Sequence, residues 1–134
     1  MKVLQERHAR SFAGLAARDI TAEVNAAVRE TGIQTGIACV YSAHPTCCVR
    51  VNELETGLLE DFAALLLRLI PGDPSSLDVQ ERRAQCVSMF LGPAGESIPV
   101  SNGELLLGRW QRVLFVELGG DGDGEWHVEV VGTT

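Results

Sequence analysis

Aromatic side chains are few in this 134-residue chain: four Phe, two Trp and one Tyr. A core must therefore be assembled chiefly from Val, Leu, Ile and Ala. Basic residues are also in deficit. Eleven Lys and Arg stand against 18 Asp and Glu, giving a net charge of -7 and an isoelectric point near 4.9. A surface of that sign repels a phosphodiester backbone, which excludes nucleic acid as the main partner. No apolar run approaches the roughly 20 residues of a membrane span. The opening MKVLQERHAR has no apolar stretch of the secretory kind, so a cytoplasmic location is expected. No Cys-x-x-Cys pair occurs among Cys39, Cys47, Cys48 and Cys86, which removes zinc knuckles and thioredoxin-like motifs. The cysteines read first as small buried hydrophobes, and a nucleophilic Cys48 beside His44 is the alternative.

What is present reads as one globular domain over residues 1–134, with 46% hydrophobic and 22% charged residues. Residues 2–20 hold two short apolar stretches around 11–14, read as two strands. Thr21 is placed to cap a first helix that carries Val24, Ala27 and Val28 at helical spacing and stops at Gly32. Residues 35–41 are β-rich. A second helix follows Gly57, with Leu58, Leu59, Phe62, Leu65, Leu66, Leu69 and Ile70 on one face. Residues 71–76 form a loop, and Asp78 with Glu81 opens a third helix running to about Phe90. The remainder is β: residues 97–100, an Asn102-Gly103 hairpin turn, 104–107, 110–117, a glycine-rich turn over 119–124, and 125–131. Strands and helices do not alternate as βαβ units do. An α+β fold of mainly antiparallel, sandwich-like sheets with about three helices is expected.

The stretch 41–53, YSAHPTCCVRVNE, concentrates the groups capable of chemistry. Taken as extended chain, it points His44, Thr46, Cys48, Arg50 and Asn52 to one side and Ala43, Cys47, Val49 and Val51 to the core. The even-numbered row is thereby expected to line one hollow. Pro45 interrupts the strand and marks an edge or a bulge that exposes His44.

His44, Thr46, Asn52 and Glu53, the GLLEDF of 57–62 and the block IPVSNGELLLGRWQRVLFVEL together resemble the YjbQ family, in the same order from Asp19 to Gly132. Some members are described as secondary thiamine-phosphate synthases. The resemblance implies two packed sheets, a homotrimer, and a site near subunit boundaries with histidines able to hold a metal. It also implies a transferase joining a pyrimidine diphosphate to a thiazole phosphate. The family segment P-H-T-T/S-A here reads Ala43-His44-Pro45-Thr46-Cys47, so Cys47 stands in an alanine column. The family's second histidine column falls on Gln85.

On this reading His44 and Glu53 are the catalytic candidates, with His44 also the metal candidate. Thr46, Arg50, Asn52, Arg83, Gln85, Arg109 and Gln111 are the substrate-binding candidates. Arg50, Arg83 and Arg109 would favour a phosphorylated small molecule. Asn52 and Glu53 could equally stabilise the turn into the second helix. Trp110 is read as a packing anchor at a subunit boundary, and Glu117 as a further site acid. A catalytic zinc takes three protein ligands and His44 supplies one, so a divalent metal is disfavoured by the loss at Gln85. The alternative function is a binding or structural module that kept the fold and lost the chemistry.

Overall fold

The computed structural model describes residues 2–7, 15–69, 86, 88–89, 94–118 and 123–134. The elements run β1 (Lys2–Arg7), β2 (Leu15–Asp19), α1 (Thr21–Thr31), β3 (Thr35–Tyr41), β4 (Cys47–Asn52), α2 (Thr56–Leu69), β5 (Gly95–Ser101), β6 (Glu104–Leu105), β7 (Arg112–Leu118) and β8 (Asp123–Thr133). They make a five-stranded sheet of order β1-β8-β3-β5-β6 and a three-stranded sheet of order β2-β7-β4. Every pairing is antiparallel. The fold is α+β, as expected. The two N-terminal strands do form, but they belong to different sheets, β1 pairing with β8 and β2 with β7.

Layering follows from strand alternation. Inner residues of both sheets meet in one core: Ala38, Val40, Val49, Ile98, Val100, Val113, Phe115, Trp126 and Val128, with Ile20, Val24, Ala27 and Val28 of the α1 region. Trp126 is the fully buried tryptophan. Trp110, expected as an anchor, lies in a turn before β7 and is 63% exposed. The opposite face of the three-stranded sheet offers Cys48, Leu114, Val116 and Leu118 to Ala63 and Leu66 of α2. Asn102 and Gly103 both take positive φ, 52° and 77°, which is what the β5–β6 hairpin requires of them.

Helix starts differ from expectation. Thr21 is the first helical residue and does not cap α1; Ile20 occupies the cap position without a side-chain bond. The Asp19 carboxylate instead accepts from the Thr21 amide at 3.0 Å and from its hydroxyl at 2.6 Å. Similarly, Glu55 accepts from the amides of Gly57 and Leu58 and so opens α2, which already includes Gly57. The expected third helix lies mostly outside the described residues, although Cys86, Ser88 and Met89 are helical. No helix among the described residues is long and apolar enough to cross a membrane.

The start of α1 is stitched to β7. The Ile20 amide donates to the Val113 carbonyl at 2.8 Å, and the Val113 amide donates to the Thr21 hydroxyl at 2.8 Å. Arg112 donates to the second oxygen of Asp19 at 2.6 Å. Burial alone would raise the Asp19 pKa, but its bonds from Thr21 and Arg112 outweigh burial and hold it below 3.8. Thr21→Val should leave the Val113 amide unsatisfied and lower unfolding free energy by about 1–3 kcal/mol in urea denaturation. The Asp19 contribution is fully present above pH 3.8 and is lost as pH falls below it, toward the lowered folded value. Asp19→Asn should therefore flatten the acid limb of the stability–pH profile, and an unchanged limb would contradict this assignment.

Candidate functional site

Residues 42–46 carry the chain from the large sheet to the small one, between β3 and β4. The crossover is tied down at several points. The buried Ser42 hydroxyl donates to the Glu125 carbonyl at 2.6 Å and accepts from the His44 amide at 3.3 Å. The Cys47 amide closes a turn on the His44 carbonyl at 3.1 Å, and the Leu118 amide donates to the Thr46 carbonyl at 2.8 Å. Pro45 sits inside this turn, so the chain is not extended from 42 to 46. β4 starts at Cys47 as an edge strand of its sheet.

Cys47 pairs with Glu117 across the β4–β7 ladder, which sets both side chains on the inner face. Glu117 is fully buried. One of its oxygens accepts from the Thr46 hydroxyl at 3.0 Å, and the other from the Cys47 thiol at 3.0 Å. His44, half-buried, brings Nδ1 to 3.0 Å from the Thr46 hydroxyl oxygen and 3.3 Å from the Thr46 amide. The amide can only donate to Nδ1, whereas the hydroxyl has given its proton to Glu117 and can only accept. These contacts select opposite tautomers. We assign the proton to Nδ1 on the shorter contact, which leaves the lone pair on Nε2. A bond chain then runs from imidazole through hydroxyl to carboxylate. Gly124 makes room for the neighbouring Cys47 thiol, since a Cβ there would lie 3.1 Å from its sulfur and 2.6 Å from the Phe115 ring.

His44, Cys47 and Glu117 each offer a coordinating atom, and these atoms lie within 4.8 Å of one another. Imidazole, thiol and carboxylate in that compass fit a divalent metal of the zinc type. The count made on sequence, His44 alone, thus becomes three. Cys47 and Glu117 were not seen as partners of His44. The available signal was Glu117 itself, an acid of the same strand parity as the core residues Val113 and Phe115.

The expected single hollow is two separate places. Cys48 points away from His44 into the layer beneath α2, where it helps line a cavity of about 230 Å³ with Arg50, Val51, Asn52, Glu53, Leu58, Leu59, Phe62, Leu114 and Val116. His44 precedes β4 and Glu53 follows it, so the length of a six-residue strand separates the two catalytic candidates, about 20 Å. Thr46 is the substrate-binding candidate that joins His44. Arg50 lines the α2 cavity and donates to the Val49 carbonyl at 2.7 Å. Asn52 accepts from the Glu53 amide at 2.8 Å, which is the turn-stabilising role. Gln111 accepts from the Gly108 amide at 2.8 Å and so closes the turn before β7. Arg109 stacks over the Trp110 ring at 4.8 Å. Arg83 and Gln85 lie outside the described residues.

Residues 8–133 match the family described as UPF0047 protein YjbQ-like. The chain belongs to the YjbQ family. It is 34% identical over 118 residues to a UPF0047 protein of Methanothermobacter thermautotrophicus, covering 85% of this chain and 81% of that relative. It is 31% identical over 117 residues to the UPF0047 protein YugU of Bacillus subtilis, covering 85% and 88%. An uncharacterised YjbQ/UPF0047-family protein from Clostridium acetobutylicum superposes with a TM-score of 0.84 at 26% identity, over 98% of this chain and 100% of that one. A protein of unknown function from Sulfolobus solfataricus, described as YbjQ-like, gives 0.83 at 31% identity, over 98% and 95%.

Burial is the largest influence on both β4 thiols. It raises Cys47 above the ordinary thiol range, with the hydrogen bond and charge of Glu117 adding to the effect. It pushes Cys48 up to about 11 against the pull of Arg50. Neither thiol is a ready nucleophile at neutral pH, which corrects the alternative reading of Cys48. Iodoacetamide at pH 7.5 should label the exposed Cys39 and Cys86 in the folded YjbQ-family chain and reach Cys47 and Cys48 only in denaturant. Rapid native labelling of Cys48, read by peptide mass spectrometry, would overturn that assignment.

Proposed function

We propose that this chain is a small-molecule enzyme whose reacting group is His44, working as a transferase of the thiamine-phosphate synthase type. The observation that carries the reading is a partly accessible imidazole linked through Thr46 to a fully buried carboxylate, Glu117. Such a chain fixes the tautomer and orientation of the ring and supports positive charge on it. In a reaction of this type a carbon–nitrogen bond forms between pyrimidine and thiazole, and the bond to diphosphate breaks. The diphosphate leaves with the electron pair, so negative charge grows on its departing oxygen. A proton on His44 Nε2 would meet that charge. A cation bound by His44, Cys47 and Glu117 would supply Lewis acidity there.

The substrate class is the one implied by the resemblance in the sequence; the relatives themselves are described as UPF0047 proteins, and the structural neighbours as uncharacterised or of unknown function. The homotrimer implied by the same resemblance is part of the proposal. Exposed Trp110, Ile37 and Val131 supply apolar surface for it. Of the three arginines invoked for phosphate, Arg50 lines a cavity on the other face of β4, and Arg83 lies outside the described residues.

Incubation with the pyrimidine diphosphate and the thiazole phosphate should yield the joined product with release of diphosphate. His44→Ala should lower the rate by about 10²–10⁴-fold, as loss of a proton-handling group does. A chain that forms no product but melts at a higher temperature with either phosphate ester is the binding module of the alternative reading. Neither product nor thermal shift would remove both.

A further inference from the structure

We propose that His44, Cys47 and Glu117 form a thiolate-containing site selective for a zinc-class cation. The inference takes from the proposed function only that the His44 centre faces a ligand. Cation binding can hold where transferase activity fails.

Three observations carry it. The coordinating atoms lie within 4.8 Å of one another and come from three donor types that zinc accepts together. The donors are also pre-positioned. Cys47 and Glu117 are fully buried ladder partners, and Thr46 bridges the carboxylate and the His44 Nδ1 at 3.0 Å each. A ligating histidine commonly donates its second ring N–H to such a neighbour, which fixes the lone pair of the other nitrogen toward the metal. Finally, a thiol is a weak hydrogen-bond donor, so Cys47 is a poor partner for a buried carboxylate if bonding is its whole purpose. As a thiolate shared with Glu117 around a cation it is a strong one, because the metal displaces its proton outright.

The donor set defines the cation. Magnesium and calcium take oxygen ligands and leave thiolates alone, whereas thiolate with imidazole selects zinc and its cobalt(II) surrogate. Three protein ligands leave a coordination position for a substrate oxygen, as in catalytic rather than structural zinc sites.

The test uses untagged full-length chain with Cys39 and Cys86 replaced by serine, stripped by chelator and titrated with cobalt(II). The expected result is one cobalt per chain, with a near-ultraviolet sulfur-to-cobalt charge-transfer band displaced by zinc and not by magnesium. Cys47→Ser should abolish the band, and Cys48→Ser should keep it. Thr46→Val should retain the band and weaken affinity about 10- to 100-fold, as second-layer substitutions do. Far-ultraviolet circular dichroism confirms that each variant is folded. Absence of the band in the parent chain, or its persistence in Cys47→Ser, would overturn the proposal; the parent measurement decides even if Cys47→Ser does not fold. Because this readout needs no turnover, an inactive chain that still shows the band separates failure of the transferase reading from failure of the cation site.

Discussion

Glu117 stands fully buried where the two sheets meet, and the region around it is arranged to satisfy one carboxylate. Taking such a group out of water costs several kcal/mol unless donors reach it. Thr46 and Cys47 supply donors to its two oxygens. That requirement fixes the register of β4, an edge strand that would otherwise be held mainly by apolar contacts. A slip of one residue would turn Cys47 toward α2 and set Cys48 against the inner core. The crossover from β3 follows from the same need, because Thr46 must lie beside Glu117. Ser42, bonded to Glu125 on β8, anchors the other end of the loop.

Adjacent cysteines acquire different chemistries from this arrangement. Cys47 enters a polar cluster of three ligand types, while Cys48 is enclosed by Leu66, Leu114 and Val116 beneath α2. One strand two residues wide in its alternation thus separates a reactive centre from an apolar layer. The α2 cavity, with Arg50 at its lining, belongs to the second environment and shares no side chain with the first. Ligand binding in one place need not occupy the other.

Much of the fold was legible because its signals are local. Leucines at helical spacing placed α2, Asn102-Gly103 placed the hairpin, and residues 110–117 were read as the strand that contains β7. The site was legible only in part, and the reason is Pro45. Strand parity carries from Cys47 to Asn52, but the turn at 44–46 breaks it, so His44 does not share a face with Cys48. Counting evens and odds across a turn joined His44 to the wrong cysteine. Glu117 was read as a further site acid but not as a partner of His44. Its parity with Val113 and Phe115 pointed inward, while its charge argued for the surface, and only the position of Thr46 and Cys47 resolves that conflict. Helix starts were displaced locally: Asp19 lies one residue ahead of the α1 cap position and Glu55 just ahead of α2, and their carboxylates bond the first helical amides.

The remaining question is why a cysteine stands in a column where the family resemblance places alanine. Hydrogen bonding gives no full reason, since a methyl group would keep the ladder with Glu117 and take away only a weak donor to one of its oxygens. Electrostatics gives none either, because burial and Glu117 both disfavour ionisation of the thiol. Coordination does give one. With Gln85 in the column of a family histidine, His44 would be a solitary ligand, and two further donors from β4 and β7 bring the count within one chain to three. A thiol that is only a weak donor in the core would be a strong ligand for a cation, and the physical difference lies in where the proton of Cys47 goes.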